Sequence, residues 1–358
     1  MFDTLGGVRW RDIDGDDAQD RGQPALFDGV DGAVVERRRG EGQFRGMEFL
    51  HVRTRTIINS LPARSRLPFR HTINAYRGCS HACSYCFARP SHEWLELDID
   101  EGFERQVVVK VNAVERLAVE LAPRRWAGEP IAMGTNTDPY QRCEVIYGLT
   151  RGLIEVLAAA RNPFSVLTKS TLVVRDLELL ADAARRTDVS VNLSIGTLDP
   201  DVWRATEPGT PHPKRRVEAI ARLRQAGIPC GVLVAPVLPG LSDGAEQLDA
   251  VVAACVEAGA SSISGGQLVY LKPGTREVFL GHLARTHPHL VQRYQAWYPG
   301  TYAPADQRQR VRRLLDDSIR RRRGTQVEVR ANRAPRRRPP TAAPRPPVPS
   351  STQLRLGV

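Results

Sequence analysis

The sequence predicts an α/β fold built on a mainly parallel sheet, and three observations carry that expectation. From about Phe69 short apolar stretches alternate with segments whose apolar residues recur at three and four, the period of an amphipathic helix. Two of these segments close on glycine, QAG before IPC and EAG before ASS, as chains do where a left-handed residue ends a helix. Six such units follow one another, and strands alternating with helices at this spacing mean βαβ units.

Strands are expected at Thr72 to Tyr76, Pro130 to Gly134, Ser165 to Thr168, Ser190 to Ser194, Gly231 to Ala235 and Ser261 to Ser264. Between them lie the helical patterns AVERLAVELA, LTRGLIEVLAAA, RDLELLADAARR, PKRRVEAIARLRQAG and GAEQLDAVVAACVEAGA. Beyond residue 270, EVFLGHLARTHPHLVQRYQAWY and QRVRRLLDDSIRRR read as closing helices, whereas residues 1 to about 45 lack a sustained period and read as loose. Six units fit either a doubly wound sheet or a barrel, complete or partial. Both place their chemistry at the carboxyl ends of the strands, which directs attention to the polar loops GTNTDPYQRCE, TKSTLVVRD, SIGTLD and APVLPGLSD.

The 358 residues, 41% hydrophobic and 25% charged, are ordinary globular usage with room for a sizeable core. No apolar run approaches the roughly 18 to 20 residues that span a bilayer, and the N-terminus lacks a signal-like apolar region, so the chain reads as cytoplasmic, with no membrane partner. The net charge of +11 is mostly local: from Arg321 onward ten arginines face one glutamate. That segment also holds seven prolines and too few large apolar residues for a core, so it is expected to be disordered. It reads either as a weak, salt-sensitive grip on nucleic acid or as a solvated extension.

Half of the six cysteines lie in YRGCSHACSYCFARP, where Cys79, Cys83 and Cys86 are spaced C-x3-C-x2-C. In a reducing cytosol clustered thiols point to metal binding or catalysis before a disulfide. Structural zinc wants four ligands, for which His81 and His92 are the nearby candidates. A [4Fe-4S] cube takes one ligand per iron, so three thiolates hold it and leave one iron open. Cys230 and Cys255 lie in apolar surroundings and read as small buried hydrophobes.

With Tyr85 before the last cysteine, this motif resembles the signature of the radical S-adenosylmethionine (radical SAM) superfamily. TINAYRGCSHACSYCFARPSH, VVVKVNA, TDPYQRCE, LTKSTLVVRD, EPGTPHPKRRVEAI and VAPVLPGLSD are together similar to its spore-photoproduct-lyase-like, or DNA-repair-photolyase-like, branch across roughly residues 65 to 300. The resemblance implies a partial (β/α)6 TIM-like barrel with a [4Fe-4S] cluster on Cys79, Cys83 and Cys86, and S-adenosyl-L-methionine on the open iron. It further implies reductive cleavage of that cofactor to a 5′-deoxyadenosyl radical, an external flavodoxin- or ferredoxin-like electron donor, and a substrate that the sequence does not name. The expected organisation is a partly irregular N-terminal extension (1–64), the barrel (65–300), a closing helix (301–322) and the Arg/Pro-rich tail (323–358).

The resemblance also assigns candidates by position. Tyr85 packs near the adenine, Lys110 lies at the barrel mouth, and Ser194 and Thr197 meet the ribose and methionine parts. Thr135 stands where photoproduct lyases carry a hydrogen-donating cysteine, and Cys143, eight residues on, is the remaining candidate for a catalytic thiol. Asp138 and Tyr140 follow a strand end and have hydrogen-bonding capacity for cofactor or substrate. Glu207 and Arg216 flank the PGTPHP turn, and a guanidinium fork suits the cofactor's carboxylate. The competing readings are ordinary: a solvated lysine, Asp-Pro turn chemistry, Ser and Thr caps, and a packed thiol.

Overall fold

The computed structural model describes residues 34–62, 65, 67–122 and 126–323. The expected tail therefore lies outside the described residues, as does most of the loose N-terminal segment. Among the described residues eleven strands form two sheets. In chain order they are β1 (Val34–Arg39), β2 (Glu48–Val52), β3 (Ile58–Ser60), β4 (His71–Ile73), β5 (Tyr76–Arg77), β6 (Gln106–Lys110), β7 (Ile131–Met133), β8 (Phe164–Thr168), β9 (Val189–Ser194), β10 (Cys230–Val234) and β11 (Ser262–Gly265). The α-helices are α1 (Glu101–Arg105), α2 (Ala113–Leu121), α3 (Glu144–Tyr147), α4 (Leu149–Ala159), α5 (Leu177–Arg186), α6 (Pro200–Thr206), α7 (Pro213–Gln225), α8 (Ala245–Glu257), α9 (Thr275–Thr286), α10 (Val291–Trp297) and α11 (Ala305–Arg323).

The large sheet has the order β11-β10-β9-β8-β7-β4-β3. Its strands from β4 to β11 pair in parallel, and β3 closes the β4 edge antiparallel. Five of the six expected strands are present and the first is present in part, and this parallel sheet with its helices is the expected partial (β/α)6 barrel. Period-two alternation divides each strand between two environments. In β9, Val189, Val191 and Leu193 are buried while Ser190 and Asn192 between them are half-buried. β8 repeats the pattern, with Phe164, Val166 and Thr168 buried and Ser165 and Leu167 half-buried. The deeply buried set belongs to one continuous core with Leu153, Leu180, Leu223 and Val252 from the helices. Ser190, Asn192 and Ser194 share the opposite face, the one that leads to the site.

Two features of the first strand and of the N-terminal part differ from the sequence reading. The stretch Thr72 to Tyr76 is not one strand. Ile73 ends β4, the Asn74 side chain bridges to the loop after β7 by accepting from the Asn136 amide at 3.2 Å, and Tyr76 begins β5 in the second sheet. That sheet, β1-β2-β6-β5, includes part of the segment read as loose. β1 shows no alternation, since every residue from Val35 to Arg39 is exposed, so nothing in its composition marks it as buried. A buried polar network then ties β5 to the helices. The Tyr76 hydroxyl donates to Glu144 at 2.5 Å, and Arg175 reaches Glu144 at 3.0 Å and Asp176 at 2.8 Å.

Leu193 is fully buried at the centre of the sheet. Leu193→Ala is expected to lower unfolding stability by roughly 2–5 kcal/mol, through lost transfer energy and a residual cavity, as read by chemical denaturation.

Candidate functional site

The cysteine loop starts where the chain leaves β5. Gly78 makes that exit possible: its φ is +81°, and a Cβ there would fall 2.8 Å from the Gln106 carbonyl oxygen. Backbone bonds then set the loop against its surroundings. The Cys79 amide donates to the Phe103 carbonyl at 2.9 Å, the Ser84 amide to the Thr206 carbonyl at 3.0 Å, and the Gly209 amide to the His81 carbonyl at 3.1 Å. Gly209 is the close-approach residue of the PGT turn, since a Cβ there would meet the Ser80 carbonyl oxygen at 2.2 Å. The turn is thus part of the loop's seat.

All three loop cysteines are reduced, and burial raises the pKa of each thiol. Cys83 and Cys86 both act electrostatically on Cys79, so the three thiols share one neighbourhood. Among the described residues no three His, Cys, Asp or Glu side chains converge on a single metal position. A mononuclear ion needs ligands about 2.3 Å from one point, whereas an iron-sulfur cube asks for one thiolate at each of three separate irons. The donor set fits the cube. So do two buried polar atoms on the same stretch that lack any partner, Ser80 Oγ and His92 Nδ1. His81, a candidate fourth ligand by sequence, lies with its Nδ1 3.3 Å from Asp138 Oδ2.

Around the loop stands a buried polar knot. Glu207 receives the Tyr85 hydroxyl on one oxygen and the Arg216 guanidinium on the other at 2.5 Å. Lys169 Nζ lies 3.6 Å from Glu207, donates to Ser194 Oγ at 2.6 Å, and sits 5.7 Å over the Tyr85 ring. Burial alone would push the Glu207 carboxyl up, but Arg216, Lys169 and the Tyr85 hydroxyl outweigh it and hold the group down to about 2. Four of the five Arg216 N–H donors have protein acceptors. Besides Glu207, Arg216 donates to the Ser194 carbonyl at 2.9 Å, the Pro211 carbonyl at 3.0 Å and the Thr210 hydroxyl at 2.5 Å. An ammonium carries three donors; Lys169 uses one on Ser194 Oγ and lies within ion-pair distance of Glu207.

The knot brings together Tyr85, Ser194, Glu207 and Arg216. Asp138 is next to it: its carboxylate accepts from the Thr168 hydroxyl at 2.6 Å and the Lys169 amide at 2.8 Å. Burial raises Asp138, but His81 and these hydrogen bonds hold it below the usual carboxylate range. Other candidates lie elsewhere. Lys110 is buried at the end of β6 in the second sheet. Thr135 accepts from Asn74 at 3.4 Å. The Thr197 hydroxyl accepts from the Asp199 amide at 3.0 Å, supporting the residue that caps α6. Tyr140 donates to Asp176 at 3.1 Å inside the buried network. Cys143 is fully buried in the main core at the N-cap of α3, and it is not among the groups acting on the loop thiols. Cys230 and Cys255 are equally buried.

Lys169 escaped the sequence reading. Its signal was its position, directly after the strand ending at Thr168, the same rule that drew attention to Ser194.

A parallel half-barrel with a three-cysteine loop after its first strand defines a class, and comparison with known proteins agrees. Residues 73–251 match the Radical SAM superfamily. An uncharacterised protein of Mycobacterium tuberculosis is 47% identical over 271 residues, covering 75% of this chain and 79% of its own. A protein of Methanocaldococcus jannaschii is 28% identical over 198 residues, covering 55% and 70%. Among solved structures, spore photoproduct lyase complexed with dinucleoside spore photoproduct superposes with a TM-score of 0.56 at 18% identity, over 76% of this chain and 79% of that one. A variant of that lyase with bound AdoMet gives 0.55 at 19% identity, over 83% and 85%. The chain belongs to the radical SAM superfamily and is an enzyme with the fold of spore photoproduct lyase.

Because the folded Glu207 value lies below the ordinary 4.5, its contribution to stability is complete above that pH and lost as pH falls towards 2. Glu207→Gln is expected to lower stability at neutral pH and to flatten the acid side of the profile. An unchanged profile in urea titrations from pH 5 to about 2 contradicts the knot.

Proposed function

We propose that Cys79, Cys83 and Cys86 hold a [4Fe-4S] cluster whose open iron takes S-adenosyl-L-methionine, and that one-electron reduction then yields a 5′-deoxyadenosyl radical for use on a substrate C–H bond. The observation that carries this is the polar knot beside a loop of three free thiols at the carboxyl end of the sheet. The bound cluster supplies the redox chemistry, and the chain's residues do the rest. Tyr85 presents a ring face at the loop, with its hydroxyl anchored on Glu207. Lys169 offers a remaining donor to an anionic group, the only cofactor carboxylate being on the methionine part. Arg216, with four of its five donors engaged, keeps Glu207 charged and fixes the Ser194 carbonyl. Asp138 orders the Thr168–Lys169 turn from which that ammonium projects. An external flavodoxin- or ferredoxin-like donor supplies the electron.

A second reading, photoproduct-lyase-like repair of nucleic acid, is favoured by the shared fold with spore photoproduct lyase. Against the thiol-donor route stands the placement of Cys143, since no cysteine outside the loop is exposed to the site. Any contact of the arginine-rich segment with nucleic acid is to be judged by truncation after Arg320 and a salt series of DNA affinities.

Protein purified and reconstituted without oxygen is expected to contain iron and acid-labile sulfide in equal amounts. When reduced with the cofactor it should release 5′-deoxyadenosine. Cys83→Ala is expected to abolish that release. Stoichiometric zinc without sulfide in the wild type, or full release by the variant, contradicts the reading.

A further inference from the structure

Arg89 is, with Arg216, one of two arginines that the fold buries almost completely among the described residues, each at 1% exposure. It lies three residues after the last loop cysteine, in the 3-10 turn Arg89–Ser91. Burying a guanidinium is costly unless its donors are satisfied, and here four of the five have acceptors. Nε donates to the Cys83 carbonyl at 3.1 Å. Nη1 donates to the carbonyls of Ile99 at 3.1 Å and Asp100 at 2.8 Å, and Nη2 to the Glu104 carboxylate. The guanidinium also lies 5.4 Å from the centroid of the Phe103 ring. Phe103 in turn provides the carbonyl that accepts the Cys79 amide at 2.9 Å.

These contacts form a closed brace. One end of the cysteine loop, Cys79, hangs on Phe103, and its middle, Cys83, hangs on Arg89. Arg89 and Phe103 are locked to each other through the segment from Ile99 to Glu104. Most of this brace lies outside the barrel core: Cys79, Ala88 and Phe103 form a small separate cluster, and of the residues it holds only Cys83 belongs to the main core. The brace can therefore fail while the sheet stays intact.

We infer that Arg89 is a positioning residue, which pre-forms the C-x3-C-x2-C loop before any cluster is present and so sets how readily, and in what geometry, the cluster is held. The inference rests on the cluster reading above, but its first observable does not. The Cys79 and Ser84 amides are hydrogen-bonded to other parts of the chain and not to any ligand, so slow exchange at the loop is expected of the chain alone. A guanidinium is needed because one flat group must serve four acceptors at once; lysine supplies a charge on a single nitrogen and cannot span them.

The test is hydrogen exchange of the metal-free wild type, Arg89→Met and Arg89→Lys, followed by anaerobic reconstitution of each with iron and sulfide. Arg89→Met is expected to speed exchange across residues 79–86 by tenfold or more while strands β8 to β10 keep wild-type protection. It should also bind less iron, with an altered electron paramagnetic resonance line shape after reduction, and Arg89→Lys should recover these only in part. If Arg89→Met fails to fold, Arg89→Met/Glu104→Gln, which leaves no unpaired carboxylate, is read in the same way. Wild-type exchange at the loop together with wild-type iron loading and line shape overturns the inference. A wild type that takes up no cluster overturns the functional proposal instead, and the exchange result still decides whether Arg89 braces the loop.

Discussion

The site depends on one carboxylate. Glu207 ends α6 and accepts from Tyr85 on the cysteine loop and from Arg216 on α7, with Lys169 beside it at the end of β8. Four separate pieces of chain thus meet at two oxygen atoms in a buried place. A buried ion pair adds little stability against an apolar replacement, yet removing one partner strands the other's charge. The knot is therefore better understood as a device for geometry than as a source of stability. It fixes the face of Tyr85, the reach of Lys169 and the carbonyl of Ser194 relative to three thiols.

The surrounding structure serves that arrangement on two scales. The half-barrel aligns the ends of β8 and β9, so that Lys169 and Ser194 meet across neighbouring strands. The second sheet, with the segment from Ile99 to Glu104, provides the opposite wall, on which Cys79 and Cys83 hang through Phe103 and Arg89. The cysteine loop is held between a rigid sheet and a smaller, separate cluster. Pre-organised support of this kind lets first contacts be made without reordering the chain.

The parallel strands and their helices were legible in the sequence because both signals are local. A helix shows its period within a dozen residues, and a glycine after it marks the turn to the next strand. The cysteine loop and its neighbours Tyr85, Glu207, Arg216 and Ser194 were legible because a spacing and a resemblance singled them out. The second sheet was not. β5 is two residues long, and β1 exposes charges along most of its length, so neither carries a burial pattern. The split of the first strand at Asn74 depends on a partner 62 residues away, which no local pattern contains. Arg89 and Lys169 were missed for the same reason. A buried charge announces itself only through partners brought in by the fold, and by sequence alone it reads as surface. Cys143 shows the converse, since nearness to a functional stretch in sequence placed it in doubt, whereas the fold buries it in the core.

The proposed chemistry requires an iron without a protein ligand. Mössbauer spectra of the anaerobically reconstituted protein, recorded with and without S-adenosyl-L-methionine, test that directly. The account predicts that adding the cofactor splits off one iron site, with the shift expected for new nitrogen and oxygen ligation, while the thiolate-bound irons stay as they were. A spectrum unchanged by the cofactor, with every iron equivalent, contradicts it.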